Sequence, residues 1–368
     1  MLVGTLTGIR IVEFGGIGPG PFAAMMLADH GAEVIRIERP GAVFGPHALA
    51  RSRKPIGVEL KAPEGVEIAR ALCRTADGVI EGFRPGVMER LGLGPKVLLG
   101  DNPRLVYGRM TGWGQDGPLA QYPGHDINYI AVAGLLDGIG HPGAPPVAPA
   151  NYIGDFGGGG MLLAFGMVSA LLAVRLGGPG QVVDAAMTDG AALLASMSWG
   201  FKAAGMWRDG PGANLLSGAA PFYRTYACAD GRHVAVGAIE PQFYAALVAG
   251  LGEDGSGQMD AAAWPGRTER FAAIFAMRAR DDWVVLFAPE ACVSPVLTFD
   301  EAAAHPHNAV RGIFAAGAPA PAPRFAATPA PAPSIAQPGE WTGRVLAELG
   351  YDEPEIAALR AAGTIGQE

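Results

Sequence analysis

Three residues able to move protons near neutral pH stand where a loop or strand becomes a helix. Residues 151–168, NYIGDFGGGGMLLAFGMV, put Asp155 directly ahead of four glycines and an apolar run. In YPGHDINYIAVAGLL, His125 and Asp126 lie at a loop-to-helix junction before an apolar helix. In VAVGAIEPQFYAAL, Glu240 ends a strand, with Pro241 at the first helical position. A carboxylate and an imidazole can each give or take a proton near neutrality. Each position also has a plain structural reading: Asp155 and Asp126 are good N-caps. Glu240 is a poorer cap than Ser, Thr or Asp, which points to another task, such as orienting a histidine.

The glycines after Asp155 narrow the chemistry. A helix start leaves unpaired N–H groups at a positive dipole end, a usual anion site. No GK[ST] follows, so GDFGGGG is not a P-loop, and a carboxylate at its entrance would repel phosphate. The same N–H groups suit a carbonyl oxygen acquiring negative charge, with Asp155 beside it to take a proton, give one, or attack.

Two further stretches carry charge or glycine patterns. Between residues 36 and 61 lie Arg36, Arg39, Arg51, Arg53, Lys54 and Lys61, and GFRPGVMERLG adds Arg84 and Arg90. Singly these are surface charges; together they suit a polyphosphate. GGIGPGPFAAMMLADHGAEVIRIE imitates a dinucleotide fingerprint, with Glu38 about twenty residues on. Its turn is GxGxG followed by Pro21 rather than GxGxxG, and it reads as a tight or substrate-contacting turn.

The elements that must position these residues follow from periodicity. IRIVEF and AEVIRIE read as strands flanking a helix with Pro21 at its start and Gly31 past its end, a βαβ unit with a parallel sheet. PIGVEL, DGVIEGF and RLVYGRM continue as strands, alternating with APEGVEIARALCRTA and PGVMERLG as helices, which makes an α/β domain. Residues 126–205 turn mainly helical around the strand-like GQVVDAAM. FYRTYAC and HVAVGAI flank ADGR as a hairpin, and PQFYAALVAGLG follows as a helix. The domain reading is a large α/β domain over 1–200, a linker over 201–220, a smaller α+β domain over 221–320, and a Pro-rich strap with a C-terminal helix, EPEIAALRAAG, over 321–368. Met187, Met197 and Met206 are either plain core or an adaptable apolar surface.

Composition bounds the rest. With 368 residues, 49% of them apolar, the chain can bury a full core, and a net charge of −8 argues against a generic nucleic-acid binder. Cys73, Cys228 and Cys292 fit no metal spacing and cannot all pair, so a reduced, cytoplasmic setting is expected. The first residues lack the basic head and apolar run of a signal peptide, and the last are no peroxisomal address. The uncharged stretch 156–174 reads as a buried helix, not a membrane span.

The motifs GIGPGPFAAMMLADHGAEVIRIERP, EGFRPGVMERLGLGP, YGRMTGWGQDGPLAQYPGHDINY, GDFGGGG, GQVVDAAMTDG, VGAIEPQFYAAL, ACVSPVLTFDEA and PRFAATPAP occur here in one order. Together they resemble the family III CoA-transferases (the CaiB/BaiF superfamily), from about residue 6 to 365, and most specifically their racemase branch. The resemblance implies a large Rossmann-like domain with a parallel sheet that binds CoA, a smaller α+β domain, and an interlocked homodimer sharing the site. It implies acid/base roles for His125 and Asp155 and a histidine-pairing role for Glu240. It also implies CoA contacts at Arg39, at Val58, Glu59, Leu60 and Lys61, at Gly82, Phe83 and Arg84, and at Arg90, Gly124, Asp126 and Tyr129. The implied reaction, of lipid and fatty acid metabolism, inverts the α-carbon of a 2-methylacyl-CoA thioester through an enolate, with no metal and no cofactor beyond the CoA of the substrate. The alternative in the same family is CoA transfer, with Asp155 as the acyl-accepting nucleophile. His125 with Glu240, a second base that a transferase does not need, favours inversion.

Overall fold

The computed structural model describes residues 3–42, 47–288 and 290–366. The outermost residues, read above for targeting signals, lie outside that range. The chain divides into two compact units: Met1–Ala133, Pro149–Ala195 and Ala318–Glu368 form the first, Gly134–Ala148 and Ser196–Gly317 the second.

The first unit is built on a six-stranded sheet. Its strands are β1 (Arg10–Phe14), β2 (Glu33–Glu38), β3 (Lys54–Gly57), β4 (Gly78–Glu81), β5 (Val106–Thr111) and β6 (Gln181–Ala186), in the order β3-β2-β1-β4-β5-β6. Every pair is parallel, with Ile11 opposite Val34 and Gly78, and Val106 opposite Gln181. This is the doubly wound Rossmann-like order expected from the alternating pattern. Helices cover both faces, so neighbouring residues of one strand enter different cores. Val12, Ile35 and Val79 pack with Ile68 and Leu72 of α2 (Pro63–Thr75), while Ile11, Val34 and Ile80 pack with Ala24 and Leu27 of α1 (Pro19–Asp29).

Local sequence explains the helix limits. α1 starts on Pro19 and is followed by Gly31 at φ +95°. In α2, Pro63 and Glu64 occupy the first turn and Arg74 the last, in the sense the helix dipole favours. Then come α3 (Asp126–Val132), a π-helix (Tyr152–Met161), α4 (Leu162–Arg175) and α5 (Met187–Leu194). The π-helix and α4 make one run long and apolar enough to cross a bilayer by length and composition, and half of it is buried within the protein.

In the second unit, β7 (Tyr223–Ala227) and β8 (His233–Gly237) form the expected antiparallel hairpin, with Gly231 at φ +73°. A third strand, β9 (Val293–Pro295), pairs with β8 and carries no turn signal that would have announced it. α6 (Pro241–Leu251) packs Tyr244, Leu247 and Val248 into an aromatic core with Phe222, Phe271, Phe275 and Trp283. The compact units do not follow the sequence-read domain limits. Residues 134–148 and 201–220 both belong to the second unit, where Gly138 lies against Trp207 and Gly140 against Pro211.

Candidate active site

A cavity of about 570 Å³ opens at the carboxyl ends of the first unit's strands. It is lined by the turns after β1 and β4, the point where the strand order reverses, and by the segment after β5. Crevices at such switch points are the usual ligand sites of open parallel sheets. Asp155 and His125 both line it, as do Gly82, Phe83, Arg84, Gly124 and Tyr129. Arg39, Arg90, residues 58–61 and Asp126 are not among its lining residues. Glu240 belongs to the second unit.

Asp155 sits on the fourth residue of the π-helix. The glycines after it therefore do not open a helix, as the sequence suggested; they lie inside one, packed against neighbours. A Cβ on Gly159 would lie 3.0 Å from Pro19 Cβ, one on Gly160 2.7 Å from Phe22 Cδ1, and one on Gly158 2.7 Å from the Ala191 nitrogen. The wide helix and its glycines let α1 and α5 approach its backbone.

Side chains around Asp155 set its charge state. Asn151 Nδ2 donates to Asp155 Oδ2 at 3.1 Å. The N–H of Asp155 donates to Asp126 Oδ2 at 2.7 Å. Burial holds the Asp155 carboxyl above the usual aspartate range. The Asn151 hydrogen bond and the His125 charge oppose that rise, and the Asp126 charge adds to it. Asn151 was missed in the sequence; its spacing of four from Asp155, on one helix face, was the available signal.

His125 occupies the N-cap position of α3 with extended backbone, and its main-chain N–H donates to Asn128 Oδ1 at 3.0 Å. Asp126, read as the cap, is instead the first helical residue and is buried, its carboxylate turned to Asp155. The His125 side chain makes no capping bond and is exposed. Tyr129 donates to the Gly124 carbonyl at 2.5 Å and meets Trp113 edge-on, ring centroids 4.8 Å apart. Glu240 stands at the N-cap of α6 before Pro241, and its exposed carboxylate also makes no capping bond.

The basic cluster divides. Arg36 and Arg53 pair with buried Glu13, Arg51 with Asp29, and Lys54 with Glu33. These four are structural cations, not a polyphosphate patch. Arg39, Lys61, Arg84 and Arg90 are exposed and enter none of the ion pairs among the described residues. Val58 is fully buried, and its N–H donates to the Glu38 carbonyl at 2.7 Å. Glu81 accepts the Phe83 N–H at 2.7 Å and Arg109 Nε at 3.0 Å, which fixes the start of the GFR segment.

The first turn of α1 adds a donor that sequence reasoning placed elsewhere. Residues 19 and 21 are prolines, and the Phe22 N–H returns to the Gly18 carbonyl at 3.1 Å. Gly20, which lines the cavity, keeps an N–H with no acceptor among the described residues. Of the three methionines considered for an apolar surface, Met187 lines the cavity, while Met197 and Met206 are exposed on the second unit. Among the described residues, no three His, Cys, Asp or Glu side chains gather as a metal-binding set.

Comparison with known proteins gives this site its relatives. The family model for CoA-transferase family III matches residues 6–341. An alpha-methylacyl-CoA racemase of Mus musculus is 46% identical, covering 97% of this chain and 96% of the mouse chain. The Homo sapiens alpha-methylacyl-CoA racemase is 44% identical over the same shares. The crystal structure of a CaiB/BaiF family protein from Brucella suis matches in fold with a TM-score of 0.79, at 24% identity, over 95% of this chain and 100% of that one.

Proposed function

The chain belongs to CoA-transferase family III, and within that family we propose that it is an isomerase interconverting (R)- and (S)-2-methylacyl-CoA thioesters. The observation that carries this reading is that two acid/base side chains, Asp155 and His125, line one cavity. Inversion needs one group to remove the α-proton and a different one to return a proton to the other face. A single carboxylate would return it to the face it left, giving exchange without inversion.

The steps then follow from the residues. One of the pair, as the free base, takes the α-proton, and the thioester carbonyl becomes an enolate oxygen. The other, protonated, delivers its proton to the α-carbon. Because the Asp155 N–H is committed to Asp126, we assign enolate stabilisation to the Gly20 N–H at the start of α1. Such a donor is worth about 3–4 kcal/mol of barrier in other enzymes. We assign Glu240 to holding the His125 imidazole in position, and Arg39, residues 58–61, Arg84 and Arg90 to the nucleotide part of CoA. The proposed reaction uses no cofactor beyond the CoA of its substrate and belongs to fatty acid metabolism.

We also infer an interlocked homodimer. Met161, Phe165, Val168, Leu172 and Leu176 form an exposed apolar stripe at helical spacing, a face of the kind that a second chain covers.

The test is incubation of one enantiomer of a 2-methylacyl-CoA with the enzyme in D₂O, without a second acid, followed by NMR and chiral analysis. Deuterium entry at the α-carbon with loss of optical purity is expected. No exchange, but CoA passed to an added carboxylic acid, would make the protein a transferase with Asp155 as nucleophile.

A further inference from the structure

Two arginines outside the cavity, both paired with one glutamate, end on the turn that lines it. Glu13 on β1 is fully buried, and its two oxygens are divided between two guanidinium groups. Oε1 pairs with Arg36 Nη1, and Oε2 accepts from Arg53 Nε at 3.2 Å. Each arginine then reaches the turn over 16–21. Arg36 Nη2 donates to the Gly16 carbonyl at 3.1 Å, and Arg53 Nη2 donates to the Pro21 carbonyl at 2.8 Å. The turn is thus held at both ends by donors that share the Glu13 carboxylate, Arg36 being held as well by Glu38 Oε1, which accepts its Nε at 2.6 Å.

Between those two carbonyls stands Gly18, at φ +70°. A Cβ built there would lie 3.3 Å from Asp155 Oδ2, so the carboxylate faces the turn across the space that a side chain at 18 would take. Burying such ion pairs adds little net stability compared with apolar side chains of similar volume. A guanidinium fork does fix the direction of its hydrogen bonds, which an apolar side chain cannot do. The arrangement suits geometry better than it suits stability.

We propose that Glu13, Arg36 and Arg53 are positioning residues for proton transfer, holding the turn over 16–21 in register against the Asp155 carboxylate. The same hold fixes Gly20 at the cavity wall. This inference rests on the reading of Asp155 as a proton-transfer group.

The test compares wild type with Arg53→Lys and Arg36→Lys, each of which keeps a cation facing Glu13 but loses the fork to the turn. For each purified full-length protein, kcat, KM, the primary isotope effect with α-deuterated substrate and Tm are measured. Misplacement on this scale is expected to lower kcat about 10–100-fold. KM should stay within about threefold, and the isotope effect should rise as proton transfer becomes slower relative to binding steps. Glu13→Gln, which removes the shared anchor, should lower kcat at least as far. A lysine variant with wild-type kcat per folded molecule, or activity falling only with the folded fraction, would overturn the inference. If one lysine variant fails to fold, the other carries the same comparison. Wild type showing neither exchange nor inversion would instead remove the premise about Asp155.

Discussion

The Asp126 carboxylate accepts the backbone N–H of Asp155 at 2.7 Å, joining the GHDINY loop to the GDFGGGG helix. Asp126 is buried, and without its carboxylate the N–H of half-buried Asp155 would lose its protein acceptor. Asp126→Ala should therefore lower unfolding free energy by about 1–3 kcal/mol, the cost of an orphaned buried donor. Asp126→Asn, whose amide oxygen still accepts, should recover most of that. Urea unfolding of the two variants, read beside their turnover, checks both the contact and its bearing on Asp155.

The pH profile should report the Asp155 environment. In the direction where Asp155 is the base, activity is lost as pH falls through its pKa, which burial raises above the usual value of about 3.9. Asn151→Ala removes a hydrogen bond that lowers that pKa, so the acid limb should move to higher pH. Asp126→Asn removes a negative charge that raises it, so the limb should move lower. Profiles of kcat/KM for both enantiomers between pH 4 and 8 would show these opposite displacements.

Stability should respond to the same carboxyl with a definite sign. A group whose native pKa is raised binds its proton more tightly when folded, so native stability falls as pH rises from the unfolded towards the native value. Below the unfolded pKa both states are protonated and the charge has no effect; above the native value the ionised side chain costs stability in full. Asp155→Asn should abolish inversion, leaving at most the exchange that His125 catalyses at its own face, while raising Tm at pH 7 relative to wild type. The gain should vanish near pH 3.5. A substitution that lowers Tm equally at both pH values would contradict the assigned shift.

Gly190 and Gly158 face each other where α5 crosses the π-helix. A Cβ at Gly190 would lie 1.8 Å from the Gly158 carbonyl oxygen, and backbone cannot move aside as a side chain can. Gly190→Ala should cost at least about 3 kcal/mol or prevent folding. Gly200, in the helix Ser196–Ala203, has nothing within 4 Å of its added Cβ, and Gly200→Ala should be neutral or stabilise by about 1 kcal/mol. Thermal unfolding of the two variants makes a direct comparison.

Much of the fold was legible because its signals are local. The βαβ alternation, Gly31 past the end of α1, and Asp230-Gly231 in the hairpin each act within a few residues, although α1 begins at Pro19, two residues before the Pro21 start read from the sequence. Charge was less legible. Arg36 and Arg39 look alike in RIER, yet Arg36 lies within β2 and pairs with buried Glu13, while Arg39 follows the end of the strand and is exposed. The π-helix could not be read from GDFGGGG, because its width depends on the contacts its glycines make with α1 and α5. That His125 and Asp155 share a cavity came from resemblance alone. Nothing in a separation of thirty residues brings a loop after β5 to a helix before β6.

The first unit is made of three separated stretches, and its edge strand β3 continues into Val58, which bridges to Ile365, and Glu59, whose N–H meets the Thr364 carbonyl at 2.8 Å. Read as an order of synthesis, this contact has a consequence. The ribosome passes the entire second unit before the residues that close this edge exist. The nascent sheet therefore waits with an open flank, the kind of surface chaperones guard and proteases test. Completion of this edge is a late event in the life of each chain, and truncations short of Thr364 would leave the edge without its last cover.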